Sequence, residues 1–123
     1  MVSSTYQTST GTVVAVGALN LTAGDWDCNM TGVFIPTSTT SVTLLQYGIN
    51  TSATAQSATI GAYGQWVTAA DVLDTTTTGN PNMTMGPYRV SLASTTAEYA
   101  NVNATFTAST MTEAGDFRCR RVR

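Results

Sequence analysis

The feature that most narrows what this chain can fold into is a two-residue alternation of apolar and polar side chains, carried in short runs and interrupted by turn residues. In Trp26-Asp27-Cys28-Asn29-Met30-Thr31 every second residue is apolar. Side chains of a strand point alternately to opposite faces, so Trp26, Cys28 and Met30 are predicted to go inward. The same reading holds for Tyr88-Arg89-Val90-Ser91-Leu92, where Tyr88, Val90 and Leu92 oppose Arg89 and Ser91. It holds again for residues 98–106, which place Ala100, Val102, Ala104 and Phe106 against Tyr99, Asn101, Asn103 and Thr105. No segment carries a convincing helical period, and helix is expected at most as a turn near Ala69-Ala70-Asp71-Val72. The chain is therefore predicted to be all-β, with about eight strands at the spacing of a sandwich or barrel.

Between these runs lie weaker signals. Val13-Val14-Ala15-Val16 and Ala18-Leu19-Asn20-Leu21 read as two β-prone runs broken by Gly17. Gly32 stands where a bulge would let the phase slip before Val33-Phe34-Ile35, and Pro36 ends that strand. Residues 41–49 form a strand whose Leu44-Leu45 pair leaves the facing ambiguous. Residues 50–57 and 75–81 read as polar surface loops, and Trp66 as either core or a subunit contact. Met111 and Glu113 fall in a loop leading to the last strand. Residues 1–11 are Ser, Thr, Gln and Gly with one Tyr6, a composition that cannot fold alone. They are expected to be a flexible N-terminal arm, with residues 12–123 as the single sandwich domain.

Charge is sparse and uneven. Charged residues make up 10% of the chain, against roughly 25% in ordinary soluble domains. Lys and His are both absent, which closes the usual routes to general-base catalysis, Schiff-base chemistry and imidazole metal ligation. No catalytic residue, metal ligand or cofactor site is read. Four of the five arginines, Arg118, Arg120, Arg121 and Arg123, lie in the last six residues. In strand phase, Phe117, Cys119 and Arg121 share one side, and Arg118, Arg120 and Val122 the other. Three roles are open to these arginines. They could neutralise nucleic-acid phosphates, protect a strand edge from aggregation, or meet carboxylates such as Asp116, Glu113 or Glu98 of a neighbouring subunit. A net charge of −2 argues against the first.

Asp25 with Asp27 and Asp71 with Asp74 are the close carboxylate pairs, and no calcium-loop spacing accompanies them. Asp25 reads as a turn residue and Asp27 as a solvated strand position. Asn-x-Ser/Thr triplets begin at Asn20, Asn29, Asn50, Asn82 and Asn103, as a Thr- and Ser-rich sequence generates by chance. Cys28 and Cys119 have no metal-ligand spacing. The first reading is two buried thiols acting as small hydrophobes; the alternative is a disulfide formed in an oxidising medium. No stretch reaches the roughly 18 apolar residues of a membrane span, and no signal peptide opens the chain, so it is expected to be made in a cytoplasm.

The run Leu19-Asn20-Leu21-Thr22-Ala23-Gly24-Asp25-Trp26-Asp27, the run Tyr88-Arg89-Val90-Ser91-Leu92-Ala93-Ser94-Thr95-Thr96, then Ala104-Thr105-Phe106-Thr107 and the arginine-rich final strand occur in this order. Together they resemble a family of small β-sandwich virion structural proteins of tailed bacteriophages, over nearly the whole chain from about Val13, and the fold this implies is an antiparallel jelly-roll-like β-sandwich of about eight strands. The resemblance implies a trimeric capsid decoration, or cement, protein on the outer surface of the virion, with the major capsid protein as partner and neither nucleic acid nor membrane. Similar modules occur in tail fibres, where they would hold receptors or trimerise. Under this resemblance Tyr6, Trp66, Arg118, Arg120, Arg121 and Arg123 are the expected subunit or capsid contacts. Cys28 and Cys119 depart from the small or branched apolar residues expected in relatives.

Overall fold

A computed structural model describes residues 2–8, 10–36, 41–55, 66–73, 82–107 and 111–122, with backbone alone for 2–8, 41, 66–73 and 82. Every described element is a strand: β1 (Val2–Thr8), β2 (Val14–Leu21), β3 (Gly24–Pro36), β4 (Ser41–Asn50), β5 (Trp66–Leu73), β6 (Asn82–Leu92), β7 (Thr96–Thr107) and β8 (Met111–Arg121). They form two antiparallel sheets, ordered β1-β8-β3-β6 and β2-β7-β4-β5. Six of them carry described side chains, three in each sheet: β8-β3-β6 and β2-β7-β4. β1 and β5 extend the two sheets by backbone ladders. The inner faces pack against each other as a β-sandwich.

The alternation sets which residues fill the core. On β3, Cys28, Met30 and Phe34 are buried, and Trp26 packs partly buried beside them. Phe117 of β8 lies opposite Met30, and Ala100, Val102 and Ala104 of β7 lie opposite Ile49, Tyr47 and Leu45 of β4. All of these are buried. Burial of each large apolar side chain contributes about 1.5–3 kcal/mol.

Several local readings change. The phase of β3 does not slip at Gly32, because its pairing with β8 runs unbroken through Gly32↔Gly115. The irregularity lies earlier, between Cys28 and Met30, and only against β6. The two runs around Gly17 are one strand, β2, with a bulge between Ala15 and Gly17 that lets Val16 turn into the core. In β4, Val42 and Leu45 are both buried although three residues apart. A register shift between Val42 and Leu44, seen against both β5 and β7, reconciles them and resolves the double leucine.

Residues 69–72, expected as at most a helical turn, belong to β5, where Ala69 and Ala70 pair with Leu45 and Leu44. Ladder pairing with β4 outweighs the helical preference of the two alanines. Met111 and Glu113, expected in a loop, are inward-facing positions of β8. The stretch read as a flexible arm holds β1, whose backbone pairs with β8 from Val2↔Phe117 to Thr8↔Met111. Its polar side chains gave no periodic signal; ladder hydrogen bonds to β8 place it. The chain then crosses to the other sheet, where Thr10 Oγ1 accepts from Phe106 N at 3.0 Å and Gly11 N donates to Ala104 O at 2.8 Å.

Candidate functional site

Adjacency of β6, β3 and β8 gathers the charged residues of the three strands on the outer face of one sheet. Asp27 lies in register with Arg89 of β6 on one side and Arg120 of β8 on the other. Its Oδ1 is 3.9 Å from Arg89 Nη1, and its Oδ2 is 3.6 Å from Arg120 Nη2. Arg89 Nη2 also donates to Asp25 Oδ2 at 3.4 Å. In the next outward positions Asn29 pairs with Arg118, and Thr31 with Asp116. Arg118 Nε donates to Asp116 Oδ2 at 2.7 Å, and its Nη2 contacts the same oxygen. That hydrogen bond, followed by the charge of Asp116, raises the Arg118 pKa. Opposite charges facing each other across neighbouring strands, Asp27 with Arg89 and with Arg120, stabilise the pairing only modestly at this exposure.

Two shallow clefts flank Arg118. One, of about 510 Å³, is lined by Asp27, Asn29, Pro87, Arg118, Cys119 and Arg120. The other, of about 220 Å³, is lined by Asn29, Thr31, Asp116 and Arg118. Together they present guanidinium, carboxamide, hydroxyl and carboxylate groups beside Pro87 and Cys119. Among the described residues, no group of three or more His, Cys, Asp or Glu comes together to hold a metal ion.

On the opposite face of β3 and β8 the register is Trp26↔Arg121, Cys28↔Cys119 and Met30↔Phe117. Cys28 and Cys119 form a disulfide with Cα atoms 4.1 Å apart, so the reading as two thiols is corrected. The sequence lacked the strand order that puts them opposite each other. Arg121 leaves the arginine cluster: its guanidinium stands over the Trp26 ring at 5.9 Å, and Nη2 donates to Ala23 O at 3.0 Å. Trp26 Nε1 in turn donates to Thr22 O at 2.9 Å. This cation–π contact and the two hydrogen bonds hold the turn between β2 and β3.

Of the expected contact residues, the structure brings Arg118 and Arg120 together on the outer face and separates Arg121 from them. Tyr6 and Trp66 are described by backbone only, in β1 and β5, and Arg123 lies outside the described residues. Glu98 and Glu113, expected as acids for a neighbouring subunit's arginines, are instead buried. Both sit at inward positions, and burial raises both carboxyl pKa values, that of Glu113 to about 8. Asp25, read as a turn residue, belongs to β3. Asp71 is described by backbone only, and Asp74 and residues 75–81 lie outside the described residues. Of the 50–57 loop, the described part is tied down: Asn101 Nδ2 donates to Ser52 O at 2.7 Å and to Ala55 O at 3.2 Å. Asp27, Asn29 and Arg89 escaped the sequence reading as a group. Their signal was outward phase with opposite charge on two strands, legible only once those strands are known to be neighbours.

No protein-family model matches this sequence, and no curated protein matches it.

Proposed function

We propose that the protein is a structural protein of a bacteriophage virion, a decoration protein that binds the outer capsid surface as a trimer and stabilises the shell. The observation that carries this reading is the strand order, β1-β8-β3-β6 facing β2-β7-β4-β5. It supports taking the sandwich as a jelly roll of two interlocked Greek keys, an architecture used by viral capsid domains and by lectins. Fold alone does not specify function. Two further features favour a virion component. The sequence runs that resemble phage decoration proteins fall on β2–β3, β6, β7 and β8, strands drawn from both sheets. The Cys28–Cys119 disulfide suits a protein that acts after release into an oxidising medium.

A decoration protein stabilises its shell by mass action, because it binds the assembled lattice and not the dissociated subunits. A closed trimer at a symmetry axis would bury charge-poor flanks between subunits. The test is to add purified chain to stripped, expanded capsids and count the copies retained per shell. A fixed, saturable number with a gain in capsid thermal stability is expected. Failure to bind capsids, together with binding to host cells, would overturn the proposal in favour of a receptor-binding module of a tail fibre.

A further inference from the structure

The outer face of β6-β3-β8 balances in charge but not in height. Arg89, Arg118 and Arg120 oppose Asp25, Asp27 and Asp116. The arginine side chains are 51%, 66% and 84% exposed, whereas those of Asp25, Asp27 and Asp116 are 29%, 23% and 26% exposed. The carboxylates lie on the sheet and the guanidiniums stand above them, so an approaching surface meets cations first. Each guanidinium carries five N–H donors, and the contacts to the aspartates leave donors for a second partner. Held by those aspartates, the arginines are already oriented, which lowers the ordering cost of a new contact.

From this face we infer that the chain docks on an acidic protein surface, whose Asp and Glu side chains enter the clefts beside Arg118 and are gripped by Arg118 and Arg120. The inference rests on the proposed virion role, in which that surface belongs to the capsid shell. Three other occupants fit less well. A second copy of the same face would set guanidinium against guanidinium. Nucleic acid would bring a continuous run of phosphates over three recessed carboxylates, in a chain of net charge −2. A saccharide would find no aromatic ring among the described residues lining the two clefts. Arginine, by contrast, is enriched at protein interfaces, where its planar fork matches a carboxylate in two hydrogen bonds.

The experiment compares the parent with Arg118→Gln/Arg120→Gln and with Arg118→Lys/Arg120→Lys, each checked for an unchanged melting temperature. Binding is measured to stripped capsids, and separately to immobilised poly-L-glutamate and to duplex DNA, at low and high salt. The glutamine variant is expected to lose about tenfold or more in capsid affinity and most of the salt dependence. The lysine variant, which keeps charge without the fork, is expected to fall between. Capsid binding by the glutamine variant within twofold of the parent would overturn the inference. If the parent itself ignores capsids, the virion reading falls, and poly-L-glutamate still decides this face. Salt-sensitive binding there, lost in the glutamine variant and stronger than binding to DNA, supports it; equal or stronger binding to DNA sinks it.

Discussion

Glu113 offers the sharpest test of the core. It is 0% exposed on the inner face of β8, between Phe34 of β3 and Tyr6 of β1 in register, and neither carboxyl oxygen has a hydrogen-bond partner among the described residues. Among the described residues a carboxylate there finds no compensation for lost hydration, so the proton is retained and the pKa rises from 4.5 to about 8. Between those two values the unfolded chain has released the proton and the folded chain still holds it. Folding then takes up a proton, and stability falls as pH rises. At about 1.4 kcal/mol per unit, the loss relative to pH 4 reaches about 3 kcal/mol at pH 7 and levels off near ~5 kcal/mol above pH 9. Glu113→Gln keeps the shape and removes the titration. Urea unfolding followed by tryptophan fluorescence at pH 5, 7 and 9 should show the parent weakening steeply and the variant much less. Some slope of the same sign should remain in the variant, because burial also raises the Glu98 pKa. Parallel stability curves for parent and Glu113→Gln would refute the claim that this carboxyl folds protonated.

Replacing both cysteines, Cys28→Ala with Cys119→Ala, removes a link between residues 91 apart in sequence. The chain-entropy relation sets a ceiling of about 4.6 kcal/mol for a loop of that length, with about 2–4 kcal/mol expected. The parent in reductant should melt near the double variant, and on non-reducing gels it should run as a monomer. A double variant as stable as the oxidised parent would contradict a folding role for this bond. Gly115→Ala would set a Cβ 2.9 Å from Val16 Cγ2 and 3.3 Å from Thr31 O, where the two sheets approach closely. Its expected cost is about 1–3 kcal/mol, read as a lower urea midpoint. Gly86→Ala meets no atom within 4 Å and should change stability by about 0.5 kcal/mol or less. Equal effects at the two glycines would count against the packing of β8 on β2.

Much of the fold is legible in the residues because strand alternation is a local property. Trp26, Cys28, Met30 and Phe117 pointed inward, and Arg118 and Arg120 outward, from their phase alone. Where alternation was faulty, at Gly17 and at Leu44-Leu45, bulges had absorbed an odd residue, and a bulge is defined by the partner strand as much as by its own. Glu113 was misplaced because a carboxylate next to a loop signal looks solvent-facing, whereas the inward phase of Met111 and Phe117 carries it into the core. β1 was missed because a run of Ser, Thr and Gln has no face to recognise.

The sequence by itself determined that the chain makes strands, which side is apolar in residues 26–31, 88–92 and 98–106, and that its cations gather at the end. Only the tertiary structure decided that β3 lies between β6 and β8. That single adjacency sets Asp27 between Arg89 and Arg120, joins Cys28 to Cys119 and builds the outward row of guanidiniums. The physical reason is that a two-residue period fixes the face of a strand but not its neighbour. Neighbours are chosen by backbone ladders and packing between residues distant along the chain, which close only when both sheets close.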